Sequence, residues 1–185
     1  MKKTILINLF GGPGISKSTT ATGVFSILKM HDIDCEYVPE FAKDLVWEDR
    51  LKSLKNQIYI FSKQYHRLWR LNGVVDIIIT DSPLLFTLVY DNDSKADSFK
   101  NMVKEVHSSF DNLNFLLTRC KKYNPNGRYQ TEDEAKEVDK KIVGMLDQNG
   151  IMYNKVTGTH NAVNIISKHI LDILKIEQRF RIEKV

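Results

Sequence analysis

Short apolar runs alternate with longer stretches of amphipathic spacing along this chain. The apolar runs are rich in Ile, Leu and Val, lack helical spacing and predict buried strands at residues 3–10, 34–39, 74–80, 112–118 and 151–156. Apolar residues at three- and four-residue steps predict helices at 17–30, 50–72, 84–90, 98–110, 131–148 and 162–175. Strands that alternate with helices indicate an α/β fold, in which both faces of a five-stranded parallel sheet are covered.

The composition is that of an ordinary globular protein, with 42% hydrophobic and 27% charged residues in a chain of 185. This length predicts one domain, residues 1–185. No apolar run approaches the roughly 20 residues of a membrane span, and the first residues lack a signal-peptide cleavage site. Cys35 and Cys120 are too few for a disulfide framework or a zinc site. We therefore expect a cytoplasmic protein without a membrane partner.

A phosphate-binding loop pattern follows the first predicted strand. Gly11-x4-Ser16-Lys17-Ser18 matches G-x-x-x-x-G-K-[ST], except that Ser16 stands where the second glycine is expected. In such a loop the backbone N–H groups surround a β-phosphate, the Lys reaches the β- and γ-phosphates, and the Ser hydroxyl holds Mg²⁺. The predicted nucleotide-binding residues are Gly11, Gly12, Pro13, Gly14, Ile15, Ser16, Lys17, Ser18 and Thr19.

The alternative to a nucleotide site is a glycine-rich turn with a chance Lys-Ser pair. A strand, a loop, Lys17-Ser18 and a helix arrive together and in order, which favours nucleotide binding.

Two carboxylates stand just beyond predicted strands, where open parallel sheets place their active-site crevice. Glu40 is a candidate base or substrate ligand, although acids also favour the start of a helix for electrostatic reasons alone. Asp81 is a candidate ligand of Mg²⁺. Ser82 follows it, where ATP-driven motors usually carry a water-activating Glu, and this favours transfer to a substrate over hydrolysis coupled to movement.

The predicted helix at 50–72 carries a basic stripe without any acid between Arg50 and Val75. Such a stripe suits a nucleic-acid backbone, but charge runs are also common on solvated helix faces. Gln57 and Gln64 could bond a base edge or be ordinary surface residues. The stripe consists of Lys52, Lys55, Tyr59, Lys63, Arg67 and Arg70.

Residues 119–131 form a loop rich in turn formers and cations, including Arg119 and Arg128. Such a loop can close as a lid over a triphosphate and place guanidinium groups on the charge that develops during transfer. The alternative is a disordered basic surface loop.

Four blocks together resemble a phage family of small P-loop proteins that are commonly labelled as ATPases related to the nicotinamide riboside kinase domain. The blocks are Gly-Gly-Pro-Gly-x-x-Lys-Ser-Thr at 11–19, Glu-Phe-Ala-Lys-Asp-Leu-Val-Trp at 40–47, Thr-Asp-Ser-Pro-Leu at 80–84 and Tyr-Asn-Pro-x-Gly-Arg-x-Gln-Thr-Glu at 123–132. The family is similar to the group that includes phage 5-hydroxymethyluridine DNA kinases, and the chain departs from its pattern at Ser16.

The resemblance implies a P-loop NTPase of three-layer, nucleotide-kinase-like fold with a basic lid. It implies ATP bound at 11–19, Mg²⁺ at Ser18 and Asp81, and transfer to the hydroxymethyl group of 5-hydroxymethyluracil in DNA. Asp81 or Glu40 would take the hydroxyl proton, with Asp81 preferred, and Arg119 and Arg128 would steady the γ-phosphoryl.

The residues that would contact DNA are Gln57, Lys63, Gln64, Arg67 and Arg70. Two alternatives remain open, namely a kinase for a free nucleoside or nucleoside monophosphate, and an ATP-binding phage regulatory protein with little catalysis.

Overall fold

A computed structural model describes residues 3–91, 96–120 and 131–182, with side chains as far as residue 175. The strands are β1 (Ile5–Phe10), β2 (Cys35–Val38), β3 (Ile77–Thr80), β4 (Asp111–Thr118) and β5 (Asn154–Thr157). The helices are α1 (Lys17–Met30), α2 (Phe41–Trp47), α3 (Leu51–Leu54), α4 (Gln57–Trp69), α5 (Phe86–Tyr90), α6 (Asp97–Ser108), α7 (Glu132–Gln148) and α8 (Ala162–Ile182).

The five strands form one all-parallel sheet in the order β2-β3-β1-β4-β5, which confirms the predicted fold class. β1 lies at the centre between β3 and β4, so its loop emerges where the strand order reverses direction. Ligands of open α/β sheets bind at the carboxyl ends of the strands around such a point. The end of β1 is therefore where the topology places a binding site.

Alternate residues of β1 point into two separate cores. Ile5, Ile7 and Leu9 pack with α1 and α8 on one face, whereas Leu6 and Phe10 pack with α4 to α7 on the other. This alternation is the two-residue period of a strand that is buried on both faces. The result is a helix–sheet–helix arrangement of three layers.

The predicted continuous helix at 50–72 is wrong, because the chain breaks between α3 and α4. The Asn56 side chain accepts the Tyr59 N–H at 3.2 Å and so begins a new helix. A capping box begins α7 where the helix at 131–148 is predicted: Thr131 and Glu134 bond each other's backbone N–H groups. β5 starts three residues later than predicted, since the Ile151 N–H is bonded to the Leu146 carbonyl at the end of α7.

No helix in the described part of the chain is long and apolar enough to span a membrane.

Candidate active site

The phosphate-loop pattern forms the turn between β1 and α1. Ser16 caps α1 with φ 68° and ψ 24°, in the left-handed region. Glycine reaches this region without strain, whereas other residues incur roughly 1–2 kcal/mol. The backbone thus explains why a glycine is expected at this position and why Ser16 is strained there.

Lys17 extends back along the loop, and its Nζ donates to the Gly12 carbonyl at 3.0 Å. The ammonium group also lies 5.5 Å from the centre of the Phe86 ring. Burial lowers the pKa of Lys17, while the carboxylates of Glu40, Asp81 and Asp139 act in the opposite direction. Lys17 is therefore held close to the loop backbone within a group of acids.

Glu40 and Asp81 follow the ends of neighbouring strands and interact electrostatically. Val38, near the end of β2, pairs with Thr80 at the end of β3. Burial raises the pKa of Glu40, and Lys17 partly offsets that rise. The neighbouring carboxylate of Asp81 raises the pKa further.

The donor set at Asp81 suits a hard cation such as Mg²⁺. Asp81 is buried, and its Oδ1 has no hydrogen-bond partner among the residues that the structure describes. The exposed Ser18 lies in the first turn of α1. The Tyr37 hydroxyl interacts with both side chains, and burial followed by the Asp81 carboxylate raises the pKa of Tyr37. Carboxylate and hydroxyl oxygens are the ligands that Mg²⁺ prefers.

Arg119 follows β4 and reaches across to the loop. Its Nη2 donates to the Pro13 carbonyl at 3.0 Å, and its Nε donates to Asp139 Oδ2 at 2.9 Å. Asp139 lies on α7, and its Oδ1 accepts the Gly12 N–H at 2.7 Å. The Arg119 guanidinium and the Asp139 carboxylate thus connect the ends of β1 and β4 with α7.

The comparisons with known proteins agree with this geometry. A family model described as an AAA domain matches residues 6–162, which is most of the chain. The chain belongs to this AAA-domain family. The matched range of the AAA domain runs from β1 to the start of α8 and includes every site residue named above. No curated protein sequence matches the chain significantly.

Solved structures with a similar fold include two that match over most of this chain. The NadR protein in complex with NR matches with a TM-score of 0.65 at 14% identity, over 89% of this chain and 51% of its own. Thymidylate kinase from Ehrlichia chaffeensis matches with a TM-score of 0.60 at 12% identity, over 93% of this chain and 99% of its own. The AAA domain spans about half the length of the NadR protein. At these identities the likeness shows the fold alone, an α/β fold with an all-parallel five-stranded sheet.

The sequence patterns did not identify three residues of the candidate site, namely Tyr37, Tyr90 and Asp139. Burial raises the pKa of Tyr90, and the carboxylates of Glu40 and Asp139 raise it further. Tyr37 points into the site from β2, and Asp139 occupies one position among many charged residues of α7. Position beyond a strand end, the signal that identified Glu40 and Asp81, applies to none of the three.

The positions of Gln57 and Gln64 correct the expectation that they are available to a base edge. Both are buried. Gln57 Nε2 donates to the Leu54 carbonyl at 3.0 Å, and Gln64 Oε1 accepts the Phe41 N–H at 2.9 Å. The two amides therefore hold the ends of helices together inside the AAA domain.

Arg67 also has internal partners instead of a free surface position. It forms an ion pair with Asp44 of α2, donates to the Pro39 carbonyl at 3.4 Å and lies over the Phe41 ring. Lys63 and Arg70 are exposed, as the basic stripe predicts. The predicted lid at 119–131 lies largely, and Arg128 entirely, outside the described residues.

Proposed function

We propose that this AAA domain is an ATP-dependent kinase that transfers the γ-phosphoryl group to a hydroxyl of a nucleoside or nucleotide acceptor. The observation that carries the proposal is the convergence of Lys17, Glu40 and Asp81 where β1, β2 and β3 end. A triphosphate held by the loop would have its terminal phosphoryl beside two carboxylates, and one of these can receive a proton. A site that only bound ATP would use one of these acids for the metal ion but would not need the second for proton transfer.

Lys17 and Arg119 would stabilise the negative charge of the transferring phosphoryl group. Their contacts with the Gly12 and Pro13 carbonyls place both cations at the phosphate-binding loop. Arg128 keeps its predicted role on the γ-phosphoryl as part of the proposal. Ser18 and Asp81 would hold Mg²⁺, which when bound neutralises charge on the β- and γ-phosphates. The buried, unpartnered Oδ1 of Asp81 supports that assignment.

We assign the proton transfer to Glu40, which leaves Asp81 to the metal. The acceptor oxygen forms a bond to the γ-phosphorus, the bond from that phosphorus to the β–γ bridging oxygen breaks, and Glu40 takes the acceptor proton. Burial raises the pKa of Glu40, and a carboxylate with a raised pKa is a stronger general base near neutral pH. Ser82 supports transfer over coupled hydrolysis, since no second acid follows Asp81.

The acceptor class rests on two considerations. The similar structures are the NadR protein in complex with NR and a thymidylate kinase, which supports a nucleoside or nucleotide acceptor. In addition, the partly exposed aromatic residues Phe41 and Tyr90 lie near Glu40, where their rings could pack against a base or sugar.

DNA that contains 5-hydroxymethyluracil is the second candidate acceptor. One observation favours it: Lys63 lies over the Tyr59 ring, and Tyr59 packs edge-on against Phe41, next to Glu40. The exposed cations Lys63 and Arg70 thus lie on the helix that packs beside the proposed general base, Glu40. The burial of Gln57 and Gln64 and the ion pair of Arg67 weaken this candidate.

The test is a transfer assay with γ-labelled ATP. The acceptors are free nucleosides, nucleoside monophosphates, ordinary DNA and DNA that contains 5-hydroxymethyluracil. We expect label in a small acceptor, and we expect Lys17→Ala to lower the transfer by a factor on the order of 10³ while the protein stays folded. Label only in the modified DNA, with an affinity that falls steeply as salt rises, would move the assignment to the second candidate. ATP binding without transfer to any acceptor would refute the kinase and favour an ATP-binding regulatory protein.

A further inference from the structure

The Asp139 carboxylate uses both of its oxygens at the phosphate-binding loop. Oδ1 accepts the Gly12 N–H at 2.7 Å. Oδ2 accepts the Nε of Arg119 at 2.9 Å and lies 2.9 Å from Nη2 of the same guanidinium. The Asp139 side chain is 26% exposed and the Arg119 side chain is 14% exposed, so solvent screens this ion pair weakly.

The same contact with Asp139 leaves no room for a side chain at Gly12. A Cβ added at Gly12 would lie 2.3 Å from Asp139 Oδ1 and 3.0 Å from the Ala135 carbonyl. Any side chain here would push α7 away from the loop. The loop sequence and Asp139 therefore depend on each other, although 127 residues separate them.

Asp139 also determines where the Arg119 guanidinium lies. The Nε of Arg119 donates to the carboxylate, and Nη2 lies 2.9 Å from the same carboxylate and donates to the Pro13 carbonyl, so the planar group is held from two sides. An Arg side chain without a charged partner samples many rotamers, and a guanidinium that is placed in advance does not have to be ordered during the reaction.

We propose that Asp139 is a positioning residue of the transfer site, which fixes Arg119 beside the phosphate-binding loop. The inference rests on the proposed kinase function. Asp139 acts through Arg119 and needs no contact with substrate itself. A merely structural role, in which Asp139 only attaches α7 to the loop, would act independently of Arg119.

A double-mutant cycle separates the two roles. We expect Arg119→Ala to lower kcat by a factor on the order of 10². We expect Asp139→Ala to lower it about 10- to 100-fold alone and by less than about threefold in the Arg119→Ala background, because the side chain that it positions is then absent.

Asp139→Asn is the second variant and guards against loss of folding. Its amide oxygen can still accept the Gly12 N–H, but the charge opposite Arg119 is gone. We expect a melting temperature close to that of the wild type together with a kcat about tenfold lower. Glu137→Ala is the matched control, since it removes an exposed carboxylate of α7 whose ion-pair partner among the described residues is Lys140, and we expect it to leave kcat within about twofold of the wild type.

The dissociation constant of ATP, measured by calorimetry with Mg²⁺ present, repeats the cycle without turnover. We expect Arg119→Ala to raise it about tenfold and Asp139→Asn to add less than about threefold in that background. A wild-type protein that transfers nothing would refute the proposed function, while the binding cycle would still decide on Asp139. Multiplicative effects in the cycle, or a wild-type kcat and affinity for Asp139→Asn, would overturn the inference.

Discussion

His107 makes the stability of the fold depend on pH. It lies in the last turn of α6 with a side chain that is 3% exposed, and its Nδ1 has no hydrogen-bond partner among the described residues. Burial lowers the pKa of this imidazole from 6.5 to about 4, although the carboxyl end of a helix favours a cation. The folded protein therefore keeps His107 neutral at a pH where the unfolded chain binds a proton.

The sign and size of the effect follow from these two pKa values. Between pH 6.5 and 4 the unfolded state holds more protons, so the free energy of unfolding falls as the pH falls through this window. At 1.36 kcal/mol per pKa unit the full loss is about 3 kcal/mol, of which about 2 kcal/mol is reached by pH 5. A typical domain has a free energy of unfolding of roughly 5–15 kcal/mol, so the loss is measurable.

Urea unfolding at pH 7 and pH 5 provides the measurement. We expect the wild type to lose about 2 kcal/mol more than His107→Asn between these pH values, because the variant has no imidazole to protonate. His66→Asn makes the same chemical change at an exposed position and should keep the wild-type loss. Equal losses in the wild type and His107→Asn would show that His107 is not held neutral by burial.

Two further predictions concern the phosphate-binding loop. A Cβ at Gly158 would lie 3.0 Å from the Ile15 carbonyl and 3.1 Å from the Thr118 carbonyl, so Gly158→Ala should cost about 1–3 kcal/mol of stability and weaken ATP binding. Gly144→Ala, with nothing within 4 Å, is the control for both measurements, by urea unfolding and calorimetry. The free energy of unfolding of Ser16→Gly should lie within about 1 kcal/mol of the wild-type value. Relief of the left-handed strain offsets the larger backbone entropy that glycine loses on folding. Ser16→Val should have a lower free energy of unfolding than the wild type, since a β-branched side chain fits the left-handed region worse than Ser does, and an unchanged free energy of unfolding in urea would contradict the left-handed backbone.

Local signals predicted the parts of the fold that depend on neighbours in sequence. The bounds of α1 and the capping box at Thr131 follow from residues within one helical turn of each other. The end of β1 and the loop after it were likewise recognisable from consecutive residues. The break at Asn56 was missed because the apolar stripe continues across it, while a single side-chain cap is enough to start a new helix.

The basic stripe shows why a pattern along one helix is incomplete. The absence of acids between Arg50 and Val75 is correct, yet Asp44 of α2 packs against α4 and pairs with Arg67. Gln64 was expected at the surface, but the α2 backbone and β3 surround it. In each case the partner comes from an element that the helical pattern does not include.

Asp139 extends this lesson to the charge balance of the site. The cations Lys17 and Arg119 lie among three carboxylates, Glu40, Asp81 and Asp139. Arg119 and Asp139 neutralise each other directly, which leaves Lys17 with the two acids at the ends of β2 and β3. We assign Asp81 to the metal ion, and burial raises the pKa of Glu40, which we assign to proton transfer. The division of roles that we propose therefore depends on the ion pair between Arg119 and Asp139, because these two residues act in opposite directions on the pKa of Lys17 and largely offset each other only while both are present.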